Sequence, residues 1–157
     1  MSNTESDLII RYADEQALPD LLRLYEQLHP SGAKLCLEDA AGILHALPLF
    51  PGSGIFVGYC GERLATSCTL TVIPNLTWSG RPYALIENVI TDSSLRNRGF
   101  GRTILQHATS QAWLHGCYKV MLMTGSKSPA TLKFYTEAGF EQTKTGFQIR
   151  RVPERQM

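Results

Sequence analysis

The sequence predicts one domain of the α/β (α+β) class, with a mixed and mostly antiparallel sheet and elements in the order β-α-α-β-β-β-α-β-α-β-β. Three features predict it. The apolar runs "IFVGYC" and "RLATSCTLTVI" flank a Gly-Glu turn, which is the pattern of an antiparallel hairpin. The segment 83–124 places a helical pattern between two apolar runs and reads as a parallel crossover. A chain of 157 residues is long enough to bury one core without disulfides or metal, and no repeat or Gly/Ser linker divides it.

The elements follow in order. "DLIIRYA" (7–13) is a short β-type run, and Asp14 is placed to cap a helix in which Leu18, Leu21, Leu22, Tyr25 and Leu28 recur at helical spacing, up to "HPSG". A second helix over 37–47, with Ile43, Leu44 and Leu47 on one face, ends before Pro48. After the hairpin, "PNLTWSGRP" is a loop and "YALIENVIT" (83–91) a third strand of the meander. From Phe100 the apolar positions Ile104, Leu105, Ala108 and Ala112 share one helical face, with Gly116 as the stop. "YKVMLMT" reads as a central strand. Ser128 as N-cap, Pro129 as first helical residue and Gly139 as stop define the last helix, and "FEQTKTGFQIRRV" closes the chain as a pair of strands.

Composition excludes several classes. A net charge of +1 with 18% charged residues argues against broad attraction to nucleic acid or an anionic membrane, so any anion is bound locally. The start, "MSNTESDLII", lacks the basic and apolar regions of a signal peptide, and no run approaches the about 20 apolar residues of a spanning helix. A cytoplasmic location is expected. Cys36, Cys60, Cys68 and Cys117 are scattered, without metal-ligand spacing, and read as reduced core thiols; no metal is expected.

One stretch invites a ligand. "TDSSLRNRGFGRTIL" leads from the third meander strand into a helix whose first N–H groups have no intrahelical partner. Gly99 and Gly101 remove Cβ atoms that would hold a phosphate off the backbone, and the helix dipole adds roughly half a positive charge. Arg96, Arg98 and Arg102 strengthen the field. The pattern suits a diphosphate, and an ordinary solvated glycine loop is the competing reading. A P-loop is excluded because no lysine follows a second glycine, and a dinucleotide fingerprint because Ile104 stands in place of its third glycine.

Arg96-x-x-Gly99-x-Gly101 at a strand-to-helix junction, after "LIENVIT" and about 30 residues before "FYTEAGF" (134–140), resembles the Gcn5-related N-acetyltransferase (GNAT) family over roughly 83–140. The resemblance implies a sheet splayed around acetyl-coenzyme A as co-substrate. It implies that the backbone from Arg96 through Asn97, Arg98, Gly99, Phe100, Gly101 and Arg102 to Thr103 grips the pyrophosphate. Val89 and Ile90 would pair with the pantetheine arm like an added strand, beside a bulge. Ser128 stands where the family often has asparagine, so only a hydroxyl is offered to the cofactor arm there, and Thr131 replaces an alanine.

Acetyl transfer to an amine needs a base, an oxyanion donor and an acid for the leaving thiolate. By the resemblance Tyr135 is the general acid, with a packing ring as the other reading. Glu87 is the one carboxylate in an apolar strand, where purposeless burial would cost free energy, so it is expected to face the cleft. The family then suggests it as general base, direct or through a water; a structural ion-pair partner is the alternative. Strand alternation sets Glu87 and Val89 against Asn88 and Ile90 unless a bulge intervenes. The main-chain N–H at Ile90 or beside it is the oxyanion donor. His29, His45, His107 and His115 sit in no motif, and no histidine is placed to activate Cys68 or Cys117. The acceptor is expected to be a small-molecule amine shaped by 25–39, 47–54 and 75–82, with "GCYKVML" locally similar to glucosamine-phosphate N-acetyltransferases. A protein N-terminus or lysine is the alternative acceptor, a non-catalytic acyl-coenzyme A sensor the alternative class. The closing strands leave a homodimer open.

Overall fold

A computed structural model describes residues 7–30 and 34–152. The strands are β1 (Leu8–Tyr12), β2 (Gly54–Cys60), β3 (Arg63–Ile73), β4 (Tyr83–Thr91) and β5 (Val120–Leu122), and the helices are α1 (Leu18–Leu28), α2 (Leu37–Ala46), α3 (Phe100–Leu114) and α4 (Pro129–Glu137). The chain divides into two compact units after Leu122.

In the first unit the five strands form one sheet in sequence order. Pairing is antiparallel from β1 to β4, and only β4 with β5 is parallel, across the α3 crossover. The neighbours Phe56 and Val57 on β2 point to opposite faces and show how the layers lie. Val57 joins Leu18, Leu21 and Leu24 of α1 and Ala40 and Leu44 of α2 in one buried cluster. Phe56 turns the other way, fully buried, with its ring edge-on to His107 of α3 at 5.0 Å. The predicted stripe of α3 is buried in full, and Gly116 ends the helix in the left-handed region. Asp14 caps as expected, but what it caps is a short 3-10 turn, Glu15–Ala17, that leads into α1. Ser31 and Gly32 of the predicted stop lie outside the described residues.

Three expectations are corrected. Ile43 is half exposed while Leu44 of the same helix is buried, so the apolar face of α2 is narrower than its sequence suggests. Cys36 is exposed as the N-cap of α2 and accepts from the Asp39 N–H at 3.5 Å; it is no core thiol, although all four cysteines are free and Cys68 and Cys117 are buried. In the second unit α4 begins and ends where Ser128 and Gly139 place it, but no strand follows among the described residues. Residues 140–150 have no regular structure. Phe147 and Ile149 are 92% and 99% exposed, so this alternating segment has no apolar face to lie on, and a lone hairpin is marginal in water.

Candidate active site

β4 carries the first part of the site, and its middle is broken. Thr69 of β3 opposes Glu87 and Ser67 opposes Ile90, so three residues of β3 face four of β4 across a bulge. Asn88 takes a left-handed φ of 53° there. An asparagine tolerates this conformation where a β-branched residue would not. The bulge overturns simple alternation: directly opposed residues share a face, so Glu87 and Ile90 lie on the face of Thr69 and Ser67, which is the α1 face. Glu87 is exposed, so the cost of burial that singled it out from sequence does not operate. Its neighbour Asn88 is also exposed, Val89 is half-buried and Ile90 is buried.

On the same face the Tyr25 hydroxyl is buried beside Thr69 and Ser67, near enough to feel both hydroxyls but in hydrogen-bonding geometry with no group of the described chain. Burial pushes its pKa up from the ordinary phenol value, and those two hydroxyls offset part of the rise. On the other side of β4, pairing with β5 covers only Ala84–Ile86. From Glu87 onward the β5 side of β4 has no paired strand among the described residues, which fits a ligand amide chain lying along Val89 and Ile90 as an added strand.

The second part is the loop after β4. A 3-10 turn over Ser93–Leu95 leads to Arg96, and the backbone then passes through left-handed Asn97 (φ 63°) and Gly99 (φ 80°) before α3 begins at Phe100. Two left-handed residues so close together bend the backbone sharply just before the unpaired N–H groups at the start of α3, where an anion is favoured. A Cβ on Gly99 would meet nothing within 4 Å, so the glycine is demanded by its φ, and the space beside it is open to a ligand. Arg96, Asn97, Arg98, Arg102 and Thr103 are exposed, Gly101 is half-buried and Phe100 is anchored in the core. The Thr103 N–H and hydroxyl both donate to the Gly99 carbonyl at 3.0 Å, fixing the first turn of α3. These residues fit a diphosphate.

Sequence reasoning missed what holds this loop. Asp92 accepts from the Ser94 N–H at 2.9 Å and the Ser94 hydroxyl at 2.5 Å, and Gln27 of α1 donates to its other oxygen at 3.1 Å. Arg63 donates to the Ser94 hydroxyl at 2.9 Å and lies 3.7 Å from Asp92. "Asp-Ser-Ser" is an Asx-turn signal that could have marked Asp92. Gln27, remote in sequence, carries no signal. The Ser94 hydroxyl, above all, holds the Asp92 carboxyl below its ordinary pKa, with Gln27 and Arg63 assisting. Because the folded value is the lower one, this stabilisation is complete above the unfolded carboxylate pKa and is lost as pH falls through the folded value. Asp92→Asn is therefore expected to lower the melting temperature by a few degrees at neutral pH, with the gap to the parent narrowing as the pH falls below the ordinary carboxylate range; a gap that stays constant with pH would contradict it.

In the second unit, Tyr135 is half-buried on α4, with its ring edge-on to Phe134 at 5.0 Å and to Phe140 at 6.5 Å. Ser128 is the exposed N-cap of α4, and its side chain makes no capping bond. Thr131 accepts from the Ser126 hydroxyl at 3.1 Å. Of the acceptor segments, 47–54 and 75–82 meet in one hollow of about 460 Å³ lined by Phe50, Pro74, Leu76, Pro82 and His115. Trp78 and Ser79 in this loop are both left-handed, and the Trp78 ring stacks on Tyr118 at 5.0 Å. The thiols are unsuited to nucleophilic work: burial pushes Cys68 up to about 12 and also raises Cys117. No cluster that could hold a metal occurs among the described residues, and no described helix is long and apolar enough to cross a membrane.

A bulged strand feeding a glycine- and arginine-rich helix start, inside a mostly antiparallel sheet with one parallel crossover, defines an acyltransferase-type fold. The acetyltransferase (GNAT) family profile matches residues 18–140, and the chain belongs to that family; it is an acetyl-coenzyme A-dependent N-acetyltransferase. The glucosamine 6-phosphate N-acetyltransferase of Trypanosoma brucei brucei is 31% identical over 142 residues, covering 85% of this chain and 89% of that protein. A candidate acetyltransferase of Agrobacterium tumefaciens str. C58 is 45% identical, with a TM-score of 0.85 over 91% of this chain and 99% of the other. A Trypanosoma brucei acetyltransferase structure is 27% identical, with a TM-score of 0.78 over 92% and 99%.

Proposed function

We propose that the protein acetylates the primary amine of a small molecule, with a phosphorylated amino sugar as the first acceptor to try. The observation that carries this is the 31% identity, over 85% of the chain, to a glucosamine 6-phosphate N-acetyltransferase. The family match also runs across the division after Leu122, which supports reading residues 1–157 as one N-acetyltransferase domain.

Bound acetyl-coenzyme A supplies a thioester whose acetyl carbon forms a C–N bond as its C–S bond breaks. The Arg96–Thr103 backbone and its arginines hold the diphosphate, and the Ser128 hydroxyl is offered to the arm. The main chain at Val89 and Ile90 orients that arm, and an N–H there donates to the acetyl oxygen as charge develops. Glu87 receives, directly or through a water, the proton that the amine gives up; its exposed carboxylate is accessible to a bulky acceptor. Tyr135 returns a proton to the departing sulfur.

Thiol release from acetyl-coenzyme A tests the reading across glucosamine 6-phosphate, glucosamine, simple amines and peptides with a free N-terminus or lysine. Release above hydrolysis with a small amine is expected. Release with peptides alone would favour a protein acetyltransferase, and binding of coenzyme A without release for any amine would favour a sensor. Glu87→Gln is expected to lower kcat about 100-fold while the Kd for coenzyme A holds; an unchanged kcat would exclude Glu87 as base.

A further inference from the structure

We propose that Gln27 is a positioning residue for the coenzyme A cradle, its carboxamide clamping the Asp92–Ser93 junction from which the cradle departs. The inference rests on reading Arg96–Thr103 as the diphosphate grip.

Both ends of the carboxamide are engaged. Nε2 donates to Asp92 Oδ2 at 3.1 Å, and Oε1 accepts from the Ser93 N–H at 2.9 Å. One side chain thus holds a side chain and a main-chain amide of successive residues, 65 and 66 positions away in sequence. The held carboxylate in turn accepts from Ser94, and the Leu95 N–H closes the turn on the Asp92 carbonyl at 2.9 Å. Leu95 is buried with Ala65 and Phe100, the first residue of α3. The exposed cradle residues 96–99 are therefore strung between the clamped turn and the buried Phe100.

The helix has little need of this contact. α1 is anchored by Leu18, Leu21 and Leu24, each at most 4% exposed, whereas Gln27 lies on its exposed side. An exposed glutamine held in one rotamer loses side-chain entropy, and the group that gains definition is the loop. Leu95 fixes how deep the turn sits, and Gln27 and Arg63 fix how it is rotated. Rotation at residues 92–94 carries directly into the direction of the N–H groups from Arg96 onward, and a bidentate anion is sensitive to that direction.

Isothermal titration with coenzyme A on the full chain tests this, using Gln27→Ala, the near-isosteric Gln27→Leu, and Gln27→Glu, which keeps the acceptor for Ser93 but sets a carboxylate against Asp92. Kd is expected to rise about fivefold in the first two and further in the third, with the free Gln27→Ala and Gln27→Leu proteins melting near the parent. In turnover, KM for acetyl-coenzyme A rises while kcat and the amine KM hold. Equal affinity for coenzyme A in parent and Gln27→Ala would overturn the clamp, as would a fall in melting temperature with affinity unchanged. A parent protein that binds no coenzyme A would instead sink the cradle reading on which the clamp depends.

Discussion

Tyr135→Phe is expected to reduce kcat by at least about 100-fold while leaving the Kd for coenzyme A within about twofold, because general acid catalysis contributes on that order and the change removes the hydroxyl while keeping the ring. The packing argues that the ring will stay in place. Its edge-on contacts to Phe134 and Phe140 are made by the ring rather than the hydroxyl, and phenylalanine keeps both. A tyrosine that serves only through its ring would therefore yield a variant close to the parent in rate. If Tyr135 protonates the leaving thiolate, the loss should be largest where the acceptor amine is most basic and attack is easy, since departure of sulfur then limits the rate. Steady-state kinetics with two amines of different basicity, each across pH 6–10, reads both effects. An unchanged rate at every pH would exclude Tyr135 as the acid.

The sequence was most legible where one local rule decided the outcome. β4 runs over Tyr83–Thr91, and α3 starts at Phe100 because a left-handed glycine precedes an apolar helical stripe. α4 is bounded by Ser128 and Gly139 for similar reasons. Legibility failed where a distant partner decides. "GFQIRR" alternates like a strand, yet Phe147 and Ile149 stay in water because strand formation needs a partner that propensity does not supply. The bulge in "LIENVI" is expected only through the resemblance: asparagine tolerates a left-handed φ, but that Asn88 adopts one is decided by the pairing of β4 with β3. That one residue, Asn88, moves Ile90 onto the face of Glu87, which simple alternation had assigned to Val89. The Gln27–Asp92 contact belongs to the same class: each partner is an unremarkable polar residue until folding joins them.

Gly101→Asp separates the affinity of the cradle from the stability of the fold, because the two should move in opposite directions. Residue 101 lies in the first turn of α3, where no acidic residue now stands. A carboxylate there meets the positive end of the helix dipole and should add about 0.3–1 kcal/mol of stability, less the small cost of ordering the side chain. The free protein is thus expected to melt at or slightly above the parent temperature. If the diphosphate is held at this helix start, the same carboxylate competes with it for the N–H groups and repels it. Loss of even two charge-assisted hydrogen bonds, at about 1.5–3 kcal/mol each, should raise the Kd for coenzyme A at least about 100-fold. Gly101→Ala divides size from charge: it adds one methyl and no charge, so its Kd should lie between those of the parent and the aspartate variant. A Gly101→Asp protein that melts normally and still binds coenzyme A with parental affinity by calorimetry would place the phosphate grip elsewhere. One that binds weakly only because it unfolds would show the opposite sign in melting temperature, so the two measurements together distinguish a lost ligand contact from a damaged helix.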